Sequence, residues 1–180
     1  MVSLCSSGWD RSRDRQPTRT PSPVPRQNDA ERRAFALARR FALTTAEPER
    51  IIVTAGDRNV IVDEVIPVAT LAALTALKAV AMVRRPHGNH PHKVGSDIHD
   101  LVRLVTNSAA RPIAEELAGF DLELADWVAT QIERAFGADL RYTLLRLRTN
   151  DRSASAQALS DNDIAATVIL ADALHERIRE

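Results

Sequence analysis

The sequence predicts an α+β fold that is mainly helical, with a small exposed β element of two or three strands near residues 50–66. Three observations lead there. Two β-branched runs, "RIIVTAG" and "NVIVDEVIPV", are separated by Gly56, Asp57, Arg58 and Asn59, residue types that make hairpin turns. The segment "VATLAALTALKAVAMVRR" that follows Pro67 is rich in alanine and leucine, with Thr70 placed to cap a helix running to Arg85. Beyond Gly95, apolar residues recur at helical spacing almost to the C-terminus.

In chain order, residues 1–29 are rich in Arg, Ser, Pro and Gln with almost nothing to bury, and are expected to form a disordered tail. Arg11, Arg13, Arg15, Arg19 and Arg26 outnumber Asp10, Asp14 and Asp29 there, so an arm that touches RNA is the alternative. Residues 30–180 are expected to be one domain. Ala30 to Leu43 sets Phe35, Leu37, Ala38 and Phe41 against arginines on the other side, which reads as a short helix or a helix running into a strand. Two strands are too few to stand alone, so either helices cover them or they belong to a wider sheet, one face or edge of which is then apolar and unpaired. "PHGNHPHKVG" reads as a loop, and Ser96 as the cap of a helix to about Asn107 with Ile98, Leu101, Val102, Leu104 and Val105 apolar. Helices are then expected at about 112–119, 122–136, 139–148 and 161–179, separated by Gly119, Gly137 and "TNDRSASAQ". Phe120, Trp127 and Phe136 fall on apolar positions and are assigned to the core.

A chain of 180 residues that is 44% apolar and 27% charged can build one hydrophobic core. Its 24 basic and 24 acidic residues cancel, so no global field draws it to a polyanion. Cys5, the single cysteine, permits neither a disulfide nor a thiolate metal site and suits a reducing compartment, so the expected location is cytoplasmic. No apolar run approaches the ~18 residues of a membrane span, and Met1 to Leu4 lacks a signal-peptide start, so no membrane partner is expected.

The chemistry concentrates around a lysine. Lys78 and Lys93 are the only lysines among 24 basic residues, and Lys78 is flanked one or two helical turns away by Leu71, Leu74, Thr75, Ala81 and Met82. Such an ammonium must reach water or find an acid. Asp97 and Asp100, three residues apart, share one face at the start of the following helix, so Lys78 is expected to approach one or both. One reading is a structural ion pair, with the aspartates also favoured by the helix dipole. The other is a polar notch in which Lys78 meets a nucleotide phosphate while a carboxylate holds a metal or accepts a proton. "GSDIHDL" does not fit the strand motif of small nucleotidyltransferases, whose acids sit two apart. His87, His90, His92 and His99 with the aspartates could hold zinc or manganese, against a solvated loop. Arg134, Arg141, Arg146 and Arg148 could form a basic face for RNA, against a solvated helix surface.

The order of "ALTTA", "IPVATLAALTALKAVAMVRR" and "KVGSDIHDLVRLV" resembles the latter part of the AbiEii-type nucleotidyltransferase toxins, over about residues 31 to 107. The resemblance implies a truncated nucleotidyltransferase-like fold, in which Lys78 matches the family's helix lysine, Asp97 the acid after the basic loop and possible metal ligand, and Asp100 the second acid. Arg84 or Arg85 matches the basic pair that would bind the triphosphate. It further implies magnesium and a nucleoside triphosphate as cofactors, nucleotide transfer to transfer RNA, and a cognate antitoxin as partner. The family's N-terminal "G-S" turn and acidic strand have no counterpart here, so an incomplete member is expected. The alternative is a non-catalytic helical interaction module that binds an antitoxin or another partner polypeptide.

Overall fold

A computed structural model describes residues 29–56, 60–87 and 89–180. The expectations for the tail, apart from Asp29, and for Asp57, Arg58 and Asn59 of the hairpin turn lie outside the described residues. The chain is mostly helical with one two-stranded antiparallel sheet, an α+β arrangement.

Helix α1 (Asp29–Thr44) leads into β1 (Glu47–Thr54), which pairs antiparallel with β2 (Val60–Val68). Then come α2 (Leu71–Arg84), short 3-10 turns at Arg85–His87 and Pro91–Lys93, and α3 (Val94–Thr106). Helices α4 (Ala110–Phe120) and α5 (Leu122–Glu133) follow, then a π-helical turn at Arg134–Ala138, α6 (Leu140–Asn150), the single-turn α7 (Ala154–Gln157) and α8 (Asp161–Arg179).

The helices pack around α2, whose Ala72, Ala73, Ala76 and Ala79 are fully buried. Side chains this small let α1, α3 and α4 approach it closely. Helix α8 closes the other side across α3, α4 and α5. Larger side chains fill the gaps: Phe41, Leu101, Leu117, Leu124, Ile132, Leu170 and Leu174 are all buried. Phe41 stacks on Phe120 with ring centroids 4.4 Å apart. Phe136 is buried as expected, whereas Phe120 and Trp127 are only partly covered.

Sequence signals placed several ends well. Thr70 caps α2 by accepting from the Ala73 amide at 3.3 Å, and it also donates to Glu116 Oε1 at 2.5 Å, tying the ribbon's exit to α4. Others needed correction. Ser96 does not cap α3: the helix begins at Val94, and the Ser96 hydroxyl instead donates to the Lys93 carbonyl at 2.9 Å. Gly95, inside this first turn, abuts the end of α6, where a Cβ would lie 2.8 Å from the Asp151 amide nitrogen. Gly119 lies within α4 and ends nothing, since the break comes at Asp121, whose carboxylate caps α5 through the Leu124 amide. Helix α5 gives way at Arg134 to the π turn that contains Gly137, and "TNDRSASAQ" contains α7, capped by Ser153.

The β element is exposed, as expected, and of the two arrangements the sequence left open, covering helices are not found. Every residue of β1 is exposed, as is most of β2, and neither strand packs on a helix to more than a marginal extent. The ribbon is anchored at its base, where Thr45 donates to the Phe41 carbonyl at 2.8 Å and its hydroxyl lies 3.4 Å from that of Thr70.

Candidate functional site

Helix α2 presents Lys78 toward the first turn and a half of α3, and the structure brings it to both aspartates. Its Nζ donates to Asp100 Oδ2 at 2.6 Å and to Asp97 Oδ1 at 3.2 Å. The α2–α3 packing that buries Ala76, Ala79, Ile98 and Leu101 sets this approach, so the ion pairs rest on apolar contacts beneath them. Asp97 is 2% exposed and its other oxygen accepts from Arg85 Nε. Asp100 keeps about half its side chain in water. Arg84 does not join: its guanidinium pairs with Glu31 at 3.2 Å and lies over the Phe35 ring at 4.2 Å.

The cluster thus contains two cations and two carboxylates with no net charge. Burial alone would depress the Lys78 pKa, but its hydrogen bonds to Asp100 and Asp97 and their negative charge outweigh it and hold the ammonium above the usual lysine range. Lys78 is therefore a firmly charged donor rather than a base. Beside it lies an open cavity of about 380 Å³, whose apolar wall is Leu71, Leu74 and Leu104 and whose polar end is Lys78, Asp100 and Arg103. Two of the three Lys78 N–H donors are held by the aspartates, which leaves one for a phosphate in this cavity. A magnesium ion fits Asp97 poorly, since both its oxygens already accept from cations that would repel the metal.

The histidines divide. His90 and His92 lie edge to face with ring centroids 5.8 Å apart and His87 is exposed, all in the connection between α2 and α3. His99 is buried on α3 and bonded through Nδ1 to Asp151 Oδ2 at 3.1 Å, so it belongs to a different environment from the loop histidines. Among the described residues, no group of three or more His, Cys, Asp or Glu side chains converges to hold a metal ion. Arg134 pairs with Asp139 at 3.1 Å and Arg146 lies over Tyr142 at 4.4 Å, both on the wall of a second cavity of about 310 Å³, while Arg141 and Arg148 are exposed.

The ribbon, expected from the sequence to be exposed with an apolar, unpaired face or edge, carries half of the exposed large apolar side chains among the described residues. Ile51, Ile52, Val53, Val60, Ile61, Val65 and Ile66 of the ribbon each leave between 37% and 65% of their surface in water. The signal was present as a continuous β-branched run, which fits a strand buried on both faces. Among the described residues no helix is long and apolar enough to cross a membrane. No known family, curated protein or solved structure matches the chain.

Proposed function

We propose that the protein is an interaction module whose β ribbon docks on a partner polypeptide, with the helical body as its platform. The carrying observation is that seven aliphatic residues of a two-stranded ribbon are exposed on both faces while the helices beside it bury a continuous core and expose no more than two large apolar residues each. Exposed apolar surface in one contiguous element marks a binding site, and two unsupported strands gain stability from further strands or a covering surface. In cells, a photo-crosslinking side chain at Val65 should give a discrete adduct that is absent when the same group stands at Arg179. The purified partner should then slow amide hydrogen exchange in residues 50–54 and 60–66. Equal adducts from both positions, or none from the ribbon, defeat the proposal.

A second reading, nucleotide transfer to RNA, has one observation in its favour: Lys78, held by Asp97 and Asp100, sits at the edge of a cavity. The resemblance to AbiEii-type toxins points the same way and suggests an antitoxin as the ribbon's partner. Incubation with magnesium, labelled nucleoside triphosphates and total transfer RNA tests it. Incorporation that disappears in Lys78→Met supports the reading; a folded sample that incorporates nothing removes autonomous catalysis.

A further inference from the structure

The pairing register divides the ribbon into two faces of different charge. Glu47 pairs with Val68, Glu49 with Ile66, Ile51 with Glu64 and Val53 with Val62, so these side chains share one face. Pro48, Arg50 and Ile52 share the other with Pro67, Val65 and Asp63. On that second face Arg50 forms a two-pronged contact with Asp63 at 2.7 and 2.6 Å, which neutralises both. The three glutamates, all exposed, are on the first face. None has an ion-pair partner among the described residues.

One face is therefore apolar and neutral, the other apolar and acidic. We infer that the ribbon's partner supplies a strand in which aliphatic residues alternate with lysine or arginine, an inference that rests on the docking role proposed above. Added to an edge of the ribbon, such a strand sends alternate side chains to opposite faces. Its basic residues then stand beside Glu64 and, at the end of the paired stretch, Glu49, and its aliphatic residues extend the surface of Ile52 and Val65. A second copy of this chain is a poorer fit on the acidic face, because it brings three more carboxylates against the first three. Nucleic acid is disfavoured there for the same reason. Pro48 and Pro67 lack an amide hydrogen, which confines added pairing to the outer part of the ribbon, Arg50–Thr54 and Val60–Ile66.

The test uses the full chain and synthetic octapeptides of alternating Lys-Val, Ser-Val and Glu-Val, followed by fluorescence anisotropy at several salt concentrations. The Lys-Val peptide should bind at least tenfold more tightly than Ser-Val, with affinity falling as salt rises, and the Glu-Val peptide should bind least. The double variant Glu49→Lys, Glu64→Lys should reverse the order of Lys-Val and Glu-Val. Both positions are exposed, so an unchanged circular dichroism spectrum and melting curve are expected for it. If all three peptides bind equally and Val65→Asp abolishes binding, the ribbon docks partners but the charge inference is wrong. Failure of every peptide, with amide exchange in the ribbon unaltered by any of them, overturns the docking role as well. Concentration-dependent dimerisation that Val65→Asp removes would make the occupant a second copy and overturn the basic strand.

Discussion

The helical body and the ribbon use similar aliphatic residues to opposite ends. In the body Leu101, Ile132 and Leu170 are fully buried, while in the ribbon Ile52, Ile61 and Val65 are more than half exposed. The difference is one of partners within the chain: each of the long helices finds two to four others to pack against, whereas each strand finds little besides its twin. A two-stranded element cannot bury a face by itself. Its β-branched residues therefore contribute strand preference and cross-strand contact but little transfer of apolar surface out of water. Stability should reside in the body and binding in the ribbon, and that division can be broken by measurement.

The largest effect should come from Leu101→Ala. This side chain lies at the α2–α3 contact with none of its surface in water, and its truncation should cost about 3–5 kcal/mol in urea unfolding. A cost below ~1 kcal/mol would mean that the body is not packed as described. Next comes Gly95→Ala. Its new methyl would lie 2.8 Å from the Asp151 amide nitrogen and 2.9 Å from Asn150 Cβ, and the first of these neighbours is backbone. The α3–α6 contact must spread, at about 2–3 kcal/mol. Gly119, where nothing lies within 4 Å of an added methyl, provides the control: alanine there should stabilise α4 by a few tenths to about 1 kcal/mol.

How much of this was legible depended on how local the cause was. Thr70 as a cap and the Ser160–Asp163 start of α8 are set within one helical turn, and such features can be read along the chain. The approach of Lys78 to Asp97 and Asp100 was readable too, because an ammonium on an apolar helix needs an acid and the next helix offered two. Gly95 could not be read correctly, since its reason is the end of α6, which is distant in sequence. The same holds for the bond between His99 and Asp151. The ribbon and its exposure were readable from "RIIVT" and "VIVDEVIPV", but whether helices or further strands stand beside it is a property of the assembled body. Sequence period alone gives the strand and leaves its neighbours open.

The ion cluster sharpens the comparison from within the body, because its members should respond unequally. Asp97→Asn removes a buried charge that two cations share, leaving Lys78 and Arg85 short of a counter-ion, and should cost about 2 kcal/mol. Lys78→Met should cost less than ~1 kcal/mol, because Arg85 still satisfies Asp97 and Asp100 can turn to water. The pH dependence follows from the raised Lys78 pKa. The unfolded chain loses this proton first, near pH ~10.4, so the stability that the ammonium contributes is complete below that pH and is lost as the pH rises through the higher folded value. Wild-type stability measured relative to Lys78→Met should therefore be flat from pH 7 to about 10 and fall above it. A difference that instead changes on the acidic side would assign the linkage to another group.

The smallest effect is expected in the ribbon. Val65→Thr keeps the branch at Cβ, so intrinsic strand preference is nearly constant and the substitution isolates burial. With 65% of Val65 already in water, exchanging a methyl for a hydroxyl transfers almost nothing between environments. The free energy of unfolding should shift by no more than ~0.5 kcal/mol. Binding should respond differently, because a hydroxyl set against the aliphatic side chains of an added neighbouring strand loses water there. The same substitution should therefore weaken the Lys-Val peptide several-fold while leaving the denaturation midpoint in place. A stability loss of ~1.5 kcal/mol or more would show that the free protein already covers Val65, and the contrast between a stable body and an unpartnered ribbon would then fail.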